Sequence, residues 1–405
     1  MLMAAVGEPN LGPDDRALYE SVSRRLADEF RSWVAPEDLL VINDPQPLGM
    51  GAIIKKELGV RAIWRSHIGL REETRATQEA WEFLMPWLGA YDRTVFSLGE
   101  YVPSLLSGRA GIIYPTVDPL DHKNRELSIH ELTCTLTSAA LAASTRPSLN
   151  PSFDAPALRL QRDGLFAPAT QPEDLGLVFR SIVTQISRWD HLKGFVPLLQ
   201  GFPLLKERGA EQRTEQNKRR LGLTRLVLAG PDPEGVQDDP EAQEVLREVC
   251  EVWRGLSPEL QRDVAVVKLP MVSPEENALM VNALQRCSSV VAQNSLQEDF
   301  GLTVTEAMWK ARPVLGTHVD GIHAQVTDGE HGRLVGDPEN PEEIAAKLGE
   351  MLVDEEARRV WGRNARFHAT EHALIFTQLR RGLGLWLDTA PTPSRAGRED
   401  PRLKA

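Results

Sequence analysis

One stretch, from Gln293 to Lys310, limits what this 405-residue chain can fold into. Ser288 to Ala292, just before it, reads as a short buried strand, and from Leu302 onward the apolar residues fall at helical spacing. A polar turn, Glu298-Asp299-Phe300-Gly301, separates the two. In an open α/β sheet such a junction is where ligands bind, because loops leave the carboxyl ends of the strands and a helix start offers unpaired N–H groups to an anion. Glu298 falls in the turn and Glu306 in the first turns of the helix, so the turn lets them reach different parts of one ligand. Spacing alone fits equally well a solvated loop acid and a helix-surface acid, the commoner fate of glutamate.

The rest of the chain repeats this alternation. Asp14 to Phe30 carries a helical stripe, Leu39 to Asp44 reads as a strand, and Asp44-Pro45-Gln46-Pro47-Leu48-Gly49 as its turn. A strand is expected over Val60 to Ile68, a helix over Thr74 to Leu88, and further strands over Thr94 to Val102 and Gly111 to Val117. Thr133 to Asp174, rich in Ala, Ser, Thr and Pro, is expected to be a loop or partly disordered insertion. Ser181 to Ser187 opens a second series as a buried strand and Arg188-Trp189-Asp190-His191-Leu192-Lys193-Gly194 follows it. A cation after a strand and another at the start of its helix can converge on a diphosphate, which needs point charges and N–H donors together.

Glu207 to Arg220 reads as a solvated, mixed-charge extension. Strands follow over Arg225 to Gly230 and Val264 to Met271, and helices over Pro240 to Leu256 and Glu275 to Arg286. A helix over Glu355 to Leu387 is long enough to cross back to the first half, and Thr389 to Ala405 is a polar tail. A chain of this length holds two domains of ordinary size.

Composition excludes several functions. The net charge of −12 disfavours nucleic acid or an anionic membrane as the main partner, and no apolar run is long enough to span a bilayer. Met1 to Asp15 lacks the pattern of a secretory leader, so a cytoplasmic location is expected. Three widely spaced cysteines, Cys134, Cys250 and Cys287, suit neither a disulfide framework nor a zinc cluster.

The stretch Glu298-x-Phe300-Gly301-Leu302-Thr303-x-x-Glu306-Ala307, followed by Arg312-Pro313-Val314-Leu315-Gly316, resembles the paired-glutamate region of retaining glycosyltransferases with the GT-B fold. Five further segments are similar to the trehalose synthase and trehalose phosphorylase branch of that family. They are Asp44 to Pro47, Trp64 to Ile68, Ala80 to Leu84, Val95 to Leu98 and Asp118 to Ser128. The resemblance implies two Rossmann-like domains whose parallel sheets face a central cleft.

By position it implies that Glu298 binds hydroxyls of a donor sugar, that Glu306 binds the ribose, and that Arg188 and Lys193 bind the diphosphate. Asn294, Gly301, Leu302, Thr303 and Gly230 would line the same donor site, and Asn277 and Asn282 would face the nucleotide. His67, with Arg65, Asp44 and Gln46, would line the acceptor side. Relatives begin with a strand, a Gly-Gly loop and further units ahead of the Asp-Pro-Gln-Pro segment, so either the start codon is misplaced or the N-terminal domain is shortened. Asp299 stands where Gly is commoner, and Asp320 adds a carboxylate beside the expected donor sugar.

The expected boundaries are a first domain over 1–132, a link over 133–176, a donor domain over 177–370, a crossing helix over 371–388 and a tail over 389–405. The expected activity is transfer of a hexosyl, in the first instance glucosyl, group from a nucleoside-diphosphate sugar to a hydroxyl acceptor with retention of configuration. No metal is required, and a homodimer is compatible with the sequence. Two other readings stay open, a phosphorylase in which inorganic phosphate replaces the nucleotide and a sugar-nucleotide-binding protein without turnover.

Overall fold

The computed structural model describes residues 11–379 apart from 70, 72–73, 109, 145–151, 172, 236–239 and 376. The expected tail lies outside the described residues, as does the end of the crossing helix. In the first half α1 (Pro13–Phe30) leads to β1 (Leu39–Asn43), α2 (Leu48–Leu58), β2 (Arg61–Ser66), α3 (Arg75–Leu88), β3 (Arg93–Phe96) and β4 (Ala110–Ile112). The four strands form one parallel sheet in chain order. Its core gathers Trp64, Phe83, Phe96 and Tyr101. Alternating buried residues along β2 face one helical layer, and Trp64 meets Trp81 and Phe96 edge-on, at 6.1 and 5.7 Å between ring centres.

After α4 (Ile129–Ser138) come β5 (Leu158–Leu160), β6 (Phe166–Pro168), β7 (Ile182–Ile186), α5 (Phe195–Ala210), α6 (Glu215–Leu223) and β8 (Arg225–Pro231). Then follow α7 (Pro240–Arg254), α8 (Pro258–Asp263), β9 (Val264–Leu269), α9 (Pro274–Cys287), β10 (Val290–Ala292) and α10 (Leu302–Trp309). The chain continues through β11 (Val314–Thr317), α11 (Asp320–His323), β12 (Gly332–Val335), α12 (Pro341–Val353) and α13 (Glu355–His372). The second sheet runs β12-β11-β10-β7-β8-β9-β5-β6. Every residue of β7, β9 and β10 is buried, so these strands read as mainly apolar runs, broken by the buried polar residues Thr184, Gln185 and Lys268.

Four expectations change. The Ala- and Pro-rich insertion is not merely a loop: Leu158–Leu160 and Phe166–Pro168 form a hairpin that pairs antiparallel with the edge strand β9. The segment after the Asp44 turn is helix α2, despite its two glycines, because Gly49 and Gly51 let Tyr19, Ser23 and Ile42 approach. The mixed-charge extension is helical over Glu215–Leu223, capped by Thr214 and seated by buried Leu221. The long final helix is interrupted after His372, where Ala373 leaves helical geometry and Leu374 bridges to Val117, and helical geometry returns at 377–379. No described helix is long and apolar enough to cross a membrane.

Loops at the carboxyl ends of the two sheets meet. Tyr101, just after β3, donates its hydroxyl to the Asp299 carbonyl. Phe300 leaves its own domain and packs into the first core, 6.2 Å from the Tyr114 ring.

Candidate active site

Two loops of the second sheet are locked to each other by one buried amide. Gln185, at 0% exposure inside β7, donates to the Lys193 carbonyl at 2.7 Å and accepts from the Asn294 N–H at 3.0 Å. Leu296 N–H adds a bond to the Leu192 carbonyl at 2.7 Å. Gly194 takes φ +59° against the Asn294 carbonyl, and any Cβ there would overlap that oxygen. These constraints bring the Lys193 ammonium to 2.8 Å from Glu298 Oε2. The same oxygen accepts from Ser295 Oγ at 3.0 Å and from Gln293 Nε2 at 3.2 Å, while Ser187 Oγ donates to Gln293 Oε1 at 3.1 Å. Three donors on one oxygen fix the Glu298 carboxylate.

Glu306 sits in the second turn of α10, beyond the φ +82° residue Gly301 that starts the helix. Its Oε1 lies 2.9 Å from Lys123 Nζ, and its buried Oε2 has no hydrogen-bond partner. Lys310, 2% exposed, donates to Asn124 Oδ1 at 3.0 Å and to the Glu306 carbonyl at 3.3 Å. Burial pushes the Lys310 ammonium down to a pKa of about 7, against the opposing pull of Glu306.

The first domain supplies the facing wall. Asp44 holds φ +65° at the end of β1 and accepts the His67 N–H at 2.9 Å. His67 Nε2 lies 3.0 Å from Asn43 Oδ1. An amide oxygen can only accept, so Nε2 carries the proton and Nδ1 is the acceptor nitrogen. Burial, then the Arg65 charge, hold the His67 imidazole below its ordinary pKa, with Asp44 opposing. Across the cleft Asp299 is pushed up to about 6, first by burial and then by Glu298 beside it, with Asp320 and Asp44 adding to the effect.

Comparison with known proteins fits this architecture. Residues 2–103 match the family described as trehalose synthase, N-terminal domain, and residues 265–368 match glycosyl transferases group 1. The trehalose synthase of Thermococcus litoralis is 31% identical over 384 residues, spanning 93% of this chain and 76% of that protein. The chain belongs to the trehalose synthase family. Among solved structures, a UDP-forming α,α-trehalose-phosphate synthase from Burkholderia xenovorans superposes with a TM-score of 0.65 at 16% identity, covering 94% of this chain and 80% of that one. The HepE protein of Anabaena, solved in complex with UDP, gives 0.62 at 15%, covering 91% and 82%. At such identities these likenesses speak for the GT-B fold alone. As a member of the trehalose synthase family, this chain is an enzyme that transfers glycosyl groups.

Within this family member the expected site residues separate into groups. Lys193 and Glu298 are in direct contact, and Glu306 lies on the helix that follows. Arg188, with its side chain 68% exposed, turns instead to Asp190 at 3.4 Å. Gly301 opens α10, with Leu302 partly exposed and Thr303 half-buried on its first turn.

Three residues expected at the donor also serve the scaffold. Asn294 is fully buried and donates to the Gly194 and Pro338 carbonyls at 3.2 and 2.9 Å. Gly230 packs under Trp189, leaving a Cβ only 2.6 Å from that ring. Asn282 is buried and donates to the His122 and Arg125 carbonyls. Sequence reasoning missed Gln185, Ser187, Ser295, Tyr101 and Lys310 as parts of the site. It quoted Lys123 within a motif and gave it no role.

Proposed function

We propose that the protein moves a hexosyl group, glucosyl in the first instance, from a nucleoside-diphosphate sugar to a hydroxyl acceptor with retention at the anomeric carbon. The observation that carries this reading is the Lys193–Glu298 contact at 2.8 Å, held by the locked loops after β7 and β10. It sets a cation for a phosphate next to an acid for sugar hydroxyls. Glucose as acceptor, giving trehalose, follows from the family.

As the bond from sugar to diphosphate breaks, negative charge grows on the leaving oxygens and positive charge on the sugar. Lys193 stabilises the former, joined by Arg188 once its guanidinium leaves Asp190. Preorganised charge of this kind is the largest contribution in such sites. Glu298 orients the sugar through its hydroxyls, and Glu306 takes the ribose. The acceptor hydroxyl attacks from the face the diphosphate leaves, and its proton passes to the departing phosphate oxygen. Neutral His67, with Nδ1 as an acceptor, orients the incoming hydroxyl.

Heat stabilisation by UDP-, ADP- and GDP-glucose tests donor binding. A ligand at one hundred times its dissociation constant adds about 2.7 kcal/mol of stability. At least one donor raises the melting temperature of the wild type, and Lys193→Ala loses that rise. No shift with any of the three removes the donor assignment.

A further inference from the structure

Lys123 lies between β4 and α4, in the stretch expected to close the first domain, yet residues 122–126 are bound to the second domain. Asn282 holds the His122 and Arg125 carbonyls at 2.9 Å each. Trp309 Nε1 donates to the Asn124 carbonyl at 2.9 Å, and Lys310 holds the Asn124 side chain. Arg286 and Arg366 both pair with Glu126 at 2.8 Å. Asn124 is 5% exposed as a result. Among the described residues, the charged group of this segment that pairs with Glu306 is the Lys123 ammonium, at 2.9 Å from Glu306 Oε1.

Glu306 needs that cation. Its side chain is 7% exposed and its Oε2 is without a hydrogen-bond partner, a costly state for a carboxylate out of water. Lys310 is nearby, but its ammonium bonds the Glu306 carbonyl and Asn124 rather than the carboxylate. An acid that is buried, fixed at one oxygen and unpartnered at the other suits a neutral ligand that donates hydrogen bonds. A ribose diol is of that class.

We propose that Lys123 is a positioning residue of the nucleotide site, holding Glu306 so that its carboxylate meets the ribose hydroxyls of a nucleoside diphosphate. Donor affinity thereby depends on the docking of this β4–α4 segment against the second domain. This inference rests on the ribose role given to Glu306 above.

The test is calorimetric titration of the full chain with UDP, ADP and GDP, carrying forward whichever binds most tightly. Lys123→Met weakens binding about tenfold, and Lys123→Arg recovers most of the loss. Glu306→Gln also weakens binding, and adding Lys123→Met to it causes little further loss. The 2′,3′-dideoxy form of the same nucleotide binds Lys123→Met and wild type alike.

If Lys123→Met binds as wild type while Glu306→Gln is weak, the inference is overturned and the ribose role stands. Equal weakening toward the ribo and dideoxy forms by Lys123→Met also overturns it, because the lysine then acts on phosphate or on folding. Unchanged binding by Glu306→Gln, or no binding of any of the three by wild type, removes the ribose role and the inference with it.

Discussion

Lys193 and Glu298 belong to loops after different strands, and their side chains meet at 2.8 Å with both largely buried. The contact is built by backbone: Gln185 ties both loops from inside the sheet, so neither side chain has to search for the other. Such preorganisation is what a transition state rewards.

Removing either partner should therefore cost rate more than fold. Lys193→Ala and Glu298→Gln are each expected to lower kcat for glycosyl transfer by about a hundredfold, near 3 kcal/mol of barrier. Steady-state kinetics beside the circular dichroism of each variant checks this. A variant that keeps wild-type kcat removes that residue from the chemistry.

Gly194→Ala should be damaging out of proportion to one methyl group. The residue takes φ +59° and its missing Cβ is the space that the Asn294 carbonyl fills. About 2–3 kcal/mol of stability should be lost, with donor binding weakened because Lys193 precedes the glycine. Urea titration and nucleotide binding together read both effects, and an unchanged midpoint with full binding would contradict the loop lock.

Phe300 tests the joining of the domains. Its ring is 6% exposed and sits in the first domain's core, while its backbone belongs to the donor loop. Phe300→Ala should cost about 3 kcal/mol by cavity formation. It should also raise KM for the acceptor, since the donor loop loses its apolar anchor in the first domain and keeps the Tyr101 hydrogen bond to Asp299. Thermal unfolding and acceptor-dependent kinetics check the two parts.

Histidines at the end of α13 predict an acid sensitivity. The His368 ring lies tilted against those of His331 and His372, at 4.8 and 4.6 Å between ring centres. Burial, then these two neighbours, push it down to about 4. An unfolded histidine titrates near 6.5, so between about pH 6.5 and 4 the unfolded chain binds more protons and stability falls as pH falls. Above that window this group contributes no slope. His368→Phe should remove about 1 kcal/mol of the loss measured between pH 7 and pH 4.5, after allowance for solvent screening. An unchanged pH dependence of the melting temperature would refute this.

Much of the second domain was legible because its strands are buried on both faces and its turns carry Gly and Asp. Ser288 to Lys310 reads as strand, turn and helix from the residues alone, and the acid in each half follows. What stayed hidden depends on distant partners. Leu48 and Gly49 read as the end of a turn because the glycine is judged by local propensity, whereas they open helix α2, with Tyr19 and Ser23 packed against Gly49. The hairpin at Leu158–Leu160 and Phe166–Pro168 exists because β9 offers an edge. Phe300 reads as part of a polar turn and is seated in the other domain's core, and Lys123 shows its acid only once the segment between β4 and α4 is docked. Asn294 and Gly230 carry the right residue types in the right loops, yet one holds backbone and the other makes room for Trp189.

The most direct measurement follows the reaction itself. Purified protein is incubated with glucose and, separately, UDP-, ADP- and GDP-glucose, and the anomeric protons are read by NMR while free nucleoside diphosphate is counted. The proposed function predicts an α-linked product with one of the donors, formed in step with its nucleoside diphosphate and lost in Lys193→Ala. A β-linked product, or an α-linked product formed equally well by Lys193→Ala, would contradict it.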